Sequence, residues 1–318
     1  MAVVGSGISG ATNPNVTTGT LAPGVSTYYE KVFLARAQYP LVLKEGGQVR
    51  THPNNEGRTV NFTRMNPFTV VTTPLGEMSN PVTCSINLST VSMTLSEYGL
   101  TTNTSRLGSL TAIDVNMKET VSAMGQNMGE TLNQLVGAEL QNGTAYYGND
   151  HLQYTFTAGD TLDACDIRAM VRTLELNKAM RYQDGFFLGK TDPYSKYNLI
   201  ADSTWVNGKT YSDIKDLYNG ELGELYGVRW LLNINVMSGT ETASTASSTV
   251  TRFYTYVHGK DAFGVYDLEK DQPKLYILPN QVDSNSPAGR ISIVSWAGSY
   301  ACKLLNSSWV IAARFASV

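Results

Sequence analysis

Charge is what this sequence has least of. Only 16% of its 318 residues are Asp, Glu, Lys or Arg, against about a quarter in an ordinary globular chain. Ser, Thr, Asn and Gly take the vacant places, a composition suited to extended segments and loops. The formal net charge of −3 leaves no basic footprint for tight nucleic-acid binding. Cysteine is scarce as well. Cys84, Cys165 and Cys302 are far apart, odd in number and outside any CxxC spacing, which argues against a disulfide framework or a thiolate zinc site and fits a reducing compartment. The three histidines, His52, His151 and His258, lack metal-ligand spacing. No run approaches the roughly 18 apolar residues of a membrane span. The start MAVVGSGISG has neither the basic region nor the apolar length of a signal peptide, so the triplets Asn61-Phe62-Thr63 and Asn306-Ser307-Ser308 read as composition, not glycan sites. The chain reads as soluble and made inside a cell.

Catalytic patterns are missing too: there is no G-x-S-x-G elbow, P-loop or EF-hand loop. Asp261, Asp267 and Glu269 gather beside a strand pattern and read as solvated acids. One decoy stands at the front, Gly5-Ser6-Gly7-Ile8-Ser9-Gly10, which matches the G-x-G-x-x-G fingerprint with Glu30 downstream. A dinucleotide-binding turn needs a buried strand before it and a helix after it. Only four residues precede Gly5, and Asn13-Pro14-Asn15 breaks the chain where the helix would start. The expectation is therefore no enzyme, with no catalytic, cofactor-binding or metal residue. A dinucleotide-dependent oxidoreductase is kept only as a remote alternative.

What is present is a long amphipathic rod over 114–141. Met117, Val121, Met124, Met128, Leu132, Leu135 and Leu140 fall close to one side of a 3.6-residue repeat, and Lys118, Glu119, Glu130, Asn133 and Gln134 take the other faces. Asp114 is the expected N-cap, and Asn142-Gly143 the expected left-handed stop. The rod would be roughly 40 Å long. Its three glycines, Gly125, Gly129 and Gly137, each cost about 1 kcal/mol in a helix, which suggests either another backbone crossing close by or a helix that is merely adequate.

Around this strut the chain divides by pattern. Residues 1 to about 25 are expected to form an extended or disordered arm, and Ser26 to open a short helix through Tyr29, Val32, Phe33 and Ala37. From 48 to 98 the pattern is extended. Val60 and Phe62 alternate with polar residues, as do Val82, Cys84, Ile86 and Leu88, and the phase slips by one before Val91, Met93 and Leu95, as at a bulge or where a strand passes from one partner to another. With Pro67, Pro74, Gly76 and Pro81 between the arms, this reads as a projecting hairpin. A second helix is predicted over 161–179 and another over 211–217. Strands are predicted over 228–236, 252–257, 274–278, 291–297 and 309–315, with a mobile Ser/Thr loop over 238–249.

Short segments recur in a telling order: Tyr28-Tyr29-Glu30-Lys31, Gln48-Val49-Arg50, Gly57-Arg58-Thr59-Val60, Thr72-Thr73-Pro74-Leu75-Gly76-Glu77, Glu97-Tyr98-Gly99 and Thr111-Ala112-Ile113-Asp114. Asn219-Gly220-Glu221-Leu222-Gly223, Gly227-Val228-Arg229, His258-Gly259-Lys260-Asp261-Ala262-Phe263-Gly264 and Lys303-Leu304-Leu305-Asn306 follow. Over roughly residues 28 to 312 this resembles the major capsid proteins of the N4-like phage coat family, which have the Hong Kong 97-type capsid fold.

The resemblance implies an α+β fold with an N-terminal arm (1–47), an extended loop hairpin (48–98) and a peripheral domain (99–164) with the spine helix 114–141. An axial domain (165–285) and C-terminal strands returning to the periphery (286–318) complete it. It implies a structural shell protein of a tailed double-stranded DNA phage, working as copies of itself in hexamers and pentamers and located in the virion after assembly in the host cytoplasm. Scaffold, portal or cementing proteins are the possible further partners, and packaged DNA would be enclosed without sequence-specific binding. An encapsulin-like nanocompartment is the alternative. The expected subunit contacts are Arg58, Arg64, Met65 and Phe68. No lysine stands between Lys44 and Lys118, which disfavours a Lys–Asn crosslink donated from the hairpin.

Overall fold

The computed structural model of the chain describes residues 23–38, 40–52, 57–65, 68–78, 80–81, 83–105, 117–148, 157–202, 223–242, 249–268, 273–281 and 288–316. In chain order, α1 (Pro23–Gln38) and β1 (Gln48–His52) precede the paired strands β2 (Thr59–Met65) and β3 (Leu88–Thr94). After β4 (Ser96–Ser105) come α2 (Met117–Leu140), β5 (Thr144–Tyr147), α3 (Ala164–Leu176), β6 (Phe187–Thr191) and α4 (Pro193–Ala201). The rest is strand: β7 (Glu224–Leu225), β8 (Val228–Leu232), β9 (Ser238–Thr242), β10 (Thr249–His258), β11 (Phe263–Leu268), β12 (Lys274–Gln281), β13 (Ile291–Leu304) and β14 (Val310–Ala316). They make two compact units. Met1–Gln38, Tyr98–Met128 and Pro273–Gly298 form the first, and Tyr39–Glu97, Gly129–Gln272 and Ser299–Val318 the second.

The rod is a helix, and its buried residues follow the expected repeat: Val121, Met124, Met128, Leu132, Val136 and Leu140 are all buried. Three positions differ from the reading of the sequence. Met117 and Leu135 are only part-buried, and Val136 takes the place of Leu135. Asn133, assigned to a solvated face, is fully buried, because its Oδ1 accepts from the Leu43 N–H at 2.8 Å and its Nδ2 donates to Asn233 Oδ1 at 2.9 Å. A buried amide that is hydrogen-bonded on both sides carries no unmet desolvation cost. The expected cap Asp114 lies outside the described residues. The C-terminal end is also different, since neither Asn142 nor Gly143 is left-handed. The helix ends through the turn bonds Asn142 N–H to Glu139 O and Gly143 N–H to Leu140 O, both 3.0 Å. Gly143 is needed for space, because a Cβ there would stand 2.8 Å from the Val310 carbonyl oxygen.

In the first unit, α1 crosses the start of α2 with no room for a side chain between them. A Cβ on Gly125 would lie 2.4 Å from the Phe33 carbonyl oxygen, so a backbone crosses here, whereas at Gly137 the space is taken by the Met237 and Leu43 side chains. Arg36 Nη2 donates to Gln126 Oε1 at 2.9 Å. The Trp296 indole donates to Asn127 Oδ1 at 3.1 Å, and β12 runs antiparallel to 291–297 of β13.

In the second unit a seven-stranded sheet has the order β5-β14-β10-β6-β8-β7, with β9 also on β10. α3 is fastened by a reciprocal capping box between Asp163 and Asp166, and lays Ile167, Met170, Val171 and Leu174 into a core with Phe187, Trp230 and Phe315. β9 falls within the stretch read as a mobile loop. Ser238 to Thr242 instead pair antiparallel with β10, Thr242 opposite Thr249 and Ser238 opposite Phe253, since a Ser/Thr run that gains a ladder partner is as good a strand as a loop. The helix expected over 211–217 and the glycine run 5–10 lie outside the described residues, as do the side chains of His52 and His151.

β1 runs parallel to β11 from Gln48 opposite Gly264 to His52 opposite Leu268. β2 and β3 form the hairpin, with Thr59 opposite Thr94 and Met65 opposite Leu88. The phase slip ahead of Val91 falls inside β3, whose register with β2 runs unbroken from Leu88 to Thr94, so no bulge accounts for it. Ile86 and Leu88, whose alternation had suggested an earlier strand, are 64% and 61% exposed.

Candidate intersubunit surface

The hairpin has a rooted end and an open end. At the root, Phe62, Met93 and Leu95 pack with Tyr266 and Ala301 in one buried cluster. Arg58 and Leu95 close the mouth: the Leu95 N–H donates to the Arg58 carbonyl at 3.0 Å, and Arg58 Nε donates to the Leu95 carbonyl at 2.9 Å. Beyond Met65 the character changes. Every described residue from 68 to 88 is exposed, although the stretch carries Phe68, Val70, Val71, Leu75, Met78, Ile86 and Leu88. Val70 is 77% exposed, and Met78 is completely so. Leaving a large apolar side chain in water forgoes about 1.5–3 kcal/mol relative to burial. Isolated exposed apolar residues need no explanation, whereas a run of them marks a surface that is covered by something else.

The four expected contact residues divide between these ends. Met65 and Phe68 are 49% and 52% exposed and belong to the open apolar run. Arg58 is tied to its own Leu95. Arg64 turns back over the Trp309 ring, 5.5 Å from its centroid, and with the Asn306 amide oriented to satisfy both of its ends, Arg64 Nη1 donates to Asn306 Oδ1 at 2.7 Å.

Beside the root lies a cleft of about 230 Å³ whose lining includes Arg50, Phe62, Arg64, Met180, Asp261 and Trp309. The Arg50 guanidinium stands over Phe62, 4.5 Å from the ring centroid. Two guanidinium groups thus rest on two aromatic faces, an arrangement that limits their motion while leaving their edges able to donate.

The second unit also holds a buried polar brace that the sequence did not announce. Lys190 on β6 is fully buried and donates to the Leu43 carbonyl at 2.7 Å and the Glu45 carbonyl at 2.6 Å, with its ammonium 4.8 Å from the Phe263 ring centroid. Burial lowers its pKa to about 7, and a neutral amine still has two N–H groups for the two carbonyls. The Tyr182 hydroxyl donates to the Gly46 carbonyl at 2.7 Å and stands 3.1 Å from His258 Nδ1. Burial, reinforced by Lys190, holds the His258 pKa well below its ordinary range. Burial pushes the Cys302 thiol up to about 12. Every one of these groups is driven toward its neutral form, and Lys190 and Tyr182 clamp the turn over 43–47. The arrangement acts as a structural brace for that turn. Among the described residues no group of three His, Cys, Asp or Glu could hold a metal ion, and no helix is long and apolar enough to cross a membrane. The only available signal for the brace was a lysine inside the strand pattern Phe187-Leu188-Gly189-Lys190-Thr191.

No protein-family model and no curated protein matches the chain. Solved structures do. The capsid structure of the cyanophage P-SCSP1u matches over 87% of this chain and 89% of that one, with a TM-score of 0.63 at 13% identity. The capsid asymmetric unit of the cyanophage Pam1 matches over 90% and 93%, with a TM-score of 0.61 at 13% identity. The acid-stable capsid of the Helicobacter pylori bacteriophage KHP30 matches over 85% and 88%, with a TM-score of 0.58 at 16% identity. These matches span nearly the whole of each chain, so they concern its complete architecture of helices and sheets. The fold is α+β and of the Hong Kong 97-like capsid type.

Proposed function

We propose that this chain is the major capsid protein of a tailed double-stranded DNA phage, a structural, non-enzymatic subunit that assembles with copies of itself into an icosahedral shell. The observation that carries the reading is the exposed apolar run 68–88 on a rooted hairpin, in a chain whose fold is that of capsid subunits. Such a run has no use in a solitary molecule and is stabilised once another chain covers it. Met65 and Phe68 are proposed as contacts to the neighbour, with Arg58 and Arg64 shaping the root from which the contacts extend. The order of short segments quoted above supports the N4-like family within the fold. The low density of charge and the net charge of −3 suit a wall that encloses DNA without gripping it. The virion is the proposed location, with host cytoplasm as the place of assembly and scaffold, portal or cementing proteins as further partners.

The test is negative-stain electron microscopy with light scattering on the expressed protein, alone and co-expressed with the neighbouring structural genes of its source. Closed shells or six-fold capsomers are the expected result. A chain that stays a monomer under both conditions overturns the proposal. Nucleic acid inside purified native shells separates a phage capsid from a nanocompartment, which would contain cargo protein.

A further inference from the structure

Between Arg64 and Glu97 the chain carries one charged residue, Glu77. It sits in the fully exposed loop, next to Met78, whose φ of +66° is left-handed. A non-glycine residue in that region is uncommon and sterically disfavoured, so the loop is bent at this point at some expense. The bend presents a compact tip in which Leu75 and Met78 flank a single carboxylate. Among the described residues, Glu77 makes no ion pair.

The cleft beside the hairpin root has the complementary composition. Its cationic members are Arg50 and Arg64, set against one acid, Asp261, and its apolar members include Met180 and Leu305. Arg50 is exposed, is held in place by the Phe62 ring, and has no carboxylate partner among the described residues. The cleft is therefore short of one negative charge, and it is large enough for a few side chains. The loop tip offers one negative charge with apolar residues on either side.

We propose that the arginine-lined cleft of one copy receives the 74–78 tip of the loop of a second copy, with Glu77 facing Arg50 and Arg64. This rests on the shell reading above and adds to it a pair of mating surfaces. The interface is heterologous, because tip and cleft are different patches of the same subunit. Contacts of that kind generate rings when the rotation closes, as a capsomer requires. Leu75 and Met78 supply apolar burial in the contact, and the carboxylate sets the register.

The decisive experiment is disulfide trapping between two versions of the full-length chain in a background with Cys84 and Cys165 changed to Ser. One version carries Glu77→Cys and the other Arg50→Cys, and they are co-assembled and oxidised. The expected result is a covalent dimer that forms only when both versions are present. A charge swap gives a second, independent readout. Arg50→Glu weakens association by about tenfold or more, Glu77→Arg does the same, and the two together in one chain restore it. Wild-type shells that assemble while position 77 fails to trap position 50, or a double swap no better than either single change, overturn the contact and leave the shell reading intact. Trapping of position 50 by any chain other than a second copy also overturns it. Wild-type protein that never associates takes both proposals down together.

Discussion

Lys190 and Glu45 meet through the side chain of the first and the backbone of the second. The ammonium nitrogen lies 2.6 Å from the Glu45 carbonyl oxygen, while the Glu45 side chain is left on an exposed residue. A lysine is thereby used as a pair of N–H donors for a turn that has no ladder of its own.

Replacing Lys190 by Met removes those donors and leaves the carbonyls of Leu43 and Glu45 without them. Each orphaned buried acceptor costs about 1–3 kcal/mol, partly offset by the loss of a buried ionisable group. The expected outcome is a net loss of about 2 kcal/mol in urea unfolding of the dissociated subunit at pH 7.

The same lysine sets a pH dependence. Its pKa falls from 10.5 to about 7 on folding, so between those values the unfolded chain holds more protons than the folded one. Stability therefore rises with pH across that window, at up to about 1.4 kcal/mol per unit. Denaturant midpoints measured from pH 7 to 8.5, below the range where the buried Cys302 thiol begins to oppose the trend, should climb in the wild type and be flatter in Lys190→Met.

His258 acts in the acid range. Its folded pKa lies well below the ordinary 6.5, so the unfolded chain takes up a proton that the buried ring refuses. Stability falls as pH drops below about 6.5. Thermal melts from pH 7 to 5 should show this slope, and His258→Gln should lose it while being less stable at pH 8.

Gly125→Ala opposes two effects. Helix propensity favours alanine by about 1 kcal/mol, but the new methyl would stand 2.4 Å from the Phe33 carbonyl, a backbone atom that cannot swing aside. The clash wins, with a net destabilisation of about 1–3 kcal/mol expected from the forced shift of α1, seen as a lowered melting temperature.

The hairpin separates folding from assembly. Phe62→Ala, at the root, should cost about 3–5 kcal/mol of subunit stability. Met65→Ser with Phe68→Ser should change it by no more than about 0.5 kcal/mol each and yet abolish shells in the microscope. Wild-type shells should also run as a single band on denaturing gels, because the hairpin contains no lysine to donate a crosslink.

How far these features could be read from the sequence depends on which partner each residue answers to. The stripe from Val121 to Leu140 answers to its own helix, and the 3.6-residue repeat shows it directly. Asn133 answers to Leu43 and Asn233, 90 and 100 residues away along the chain, so its polar side chain pointed to the wrong face. The alternation through Cys84, Ile86 and Leu88 predicts a strand inside the hairpin, yet Ile86 and Leu88 are exposed and regular strand begins only at Leu88. The Ser/Thr-rich β9 contains no apolar signal, and only its pairing with β10 makes it a strand. Of the candidate contacts, Met65 and Phe68 stand open as an apolar hairpin flank implies. The engagement of Arg58 with Leu95 and of Arg64 with Trp309 depends on where the hairpin root lands, which no local pattern encodes.

The turn at 43–47 can be viewed as a peptide ligand that happens to be covalently attached to its receptor. Its Leu43 amide is held by a helix side chain, its Leu43 and Glu45 carbonyls by a strand lysine, and its Gly46 carbonyl by a tyrosine hydroxyl. Gly46 itself admits no side chain, since a Cβ would meet the Tyr182 hydroxyl at 2.5 Å. The hydrogen-exchange lifetime of the Leu43 amide is then governed by the departure of Asn133, and this irregular segment should exchange as slowly as a sheet interior.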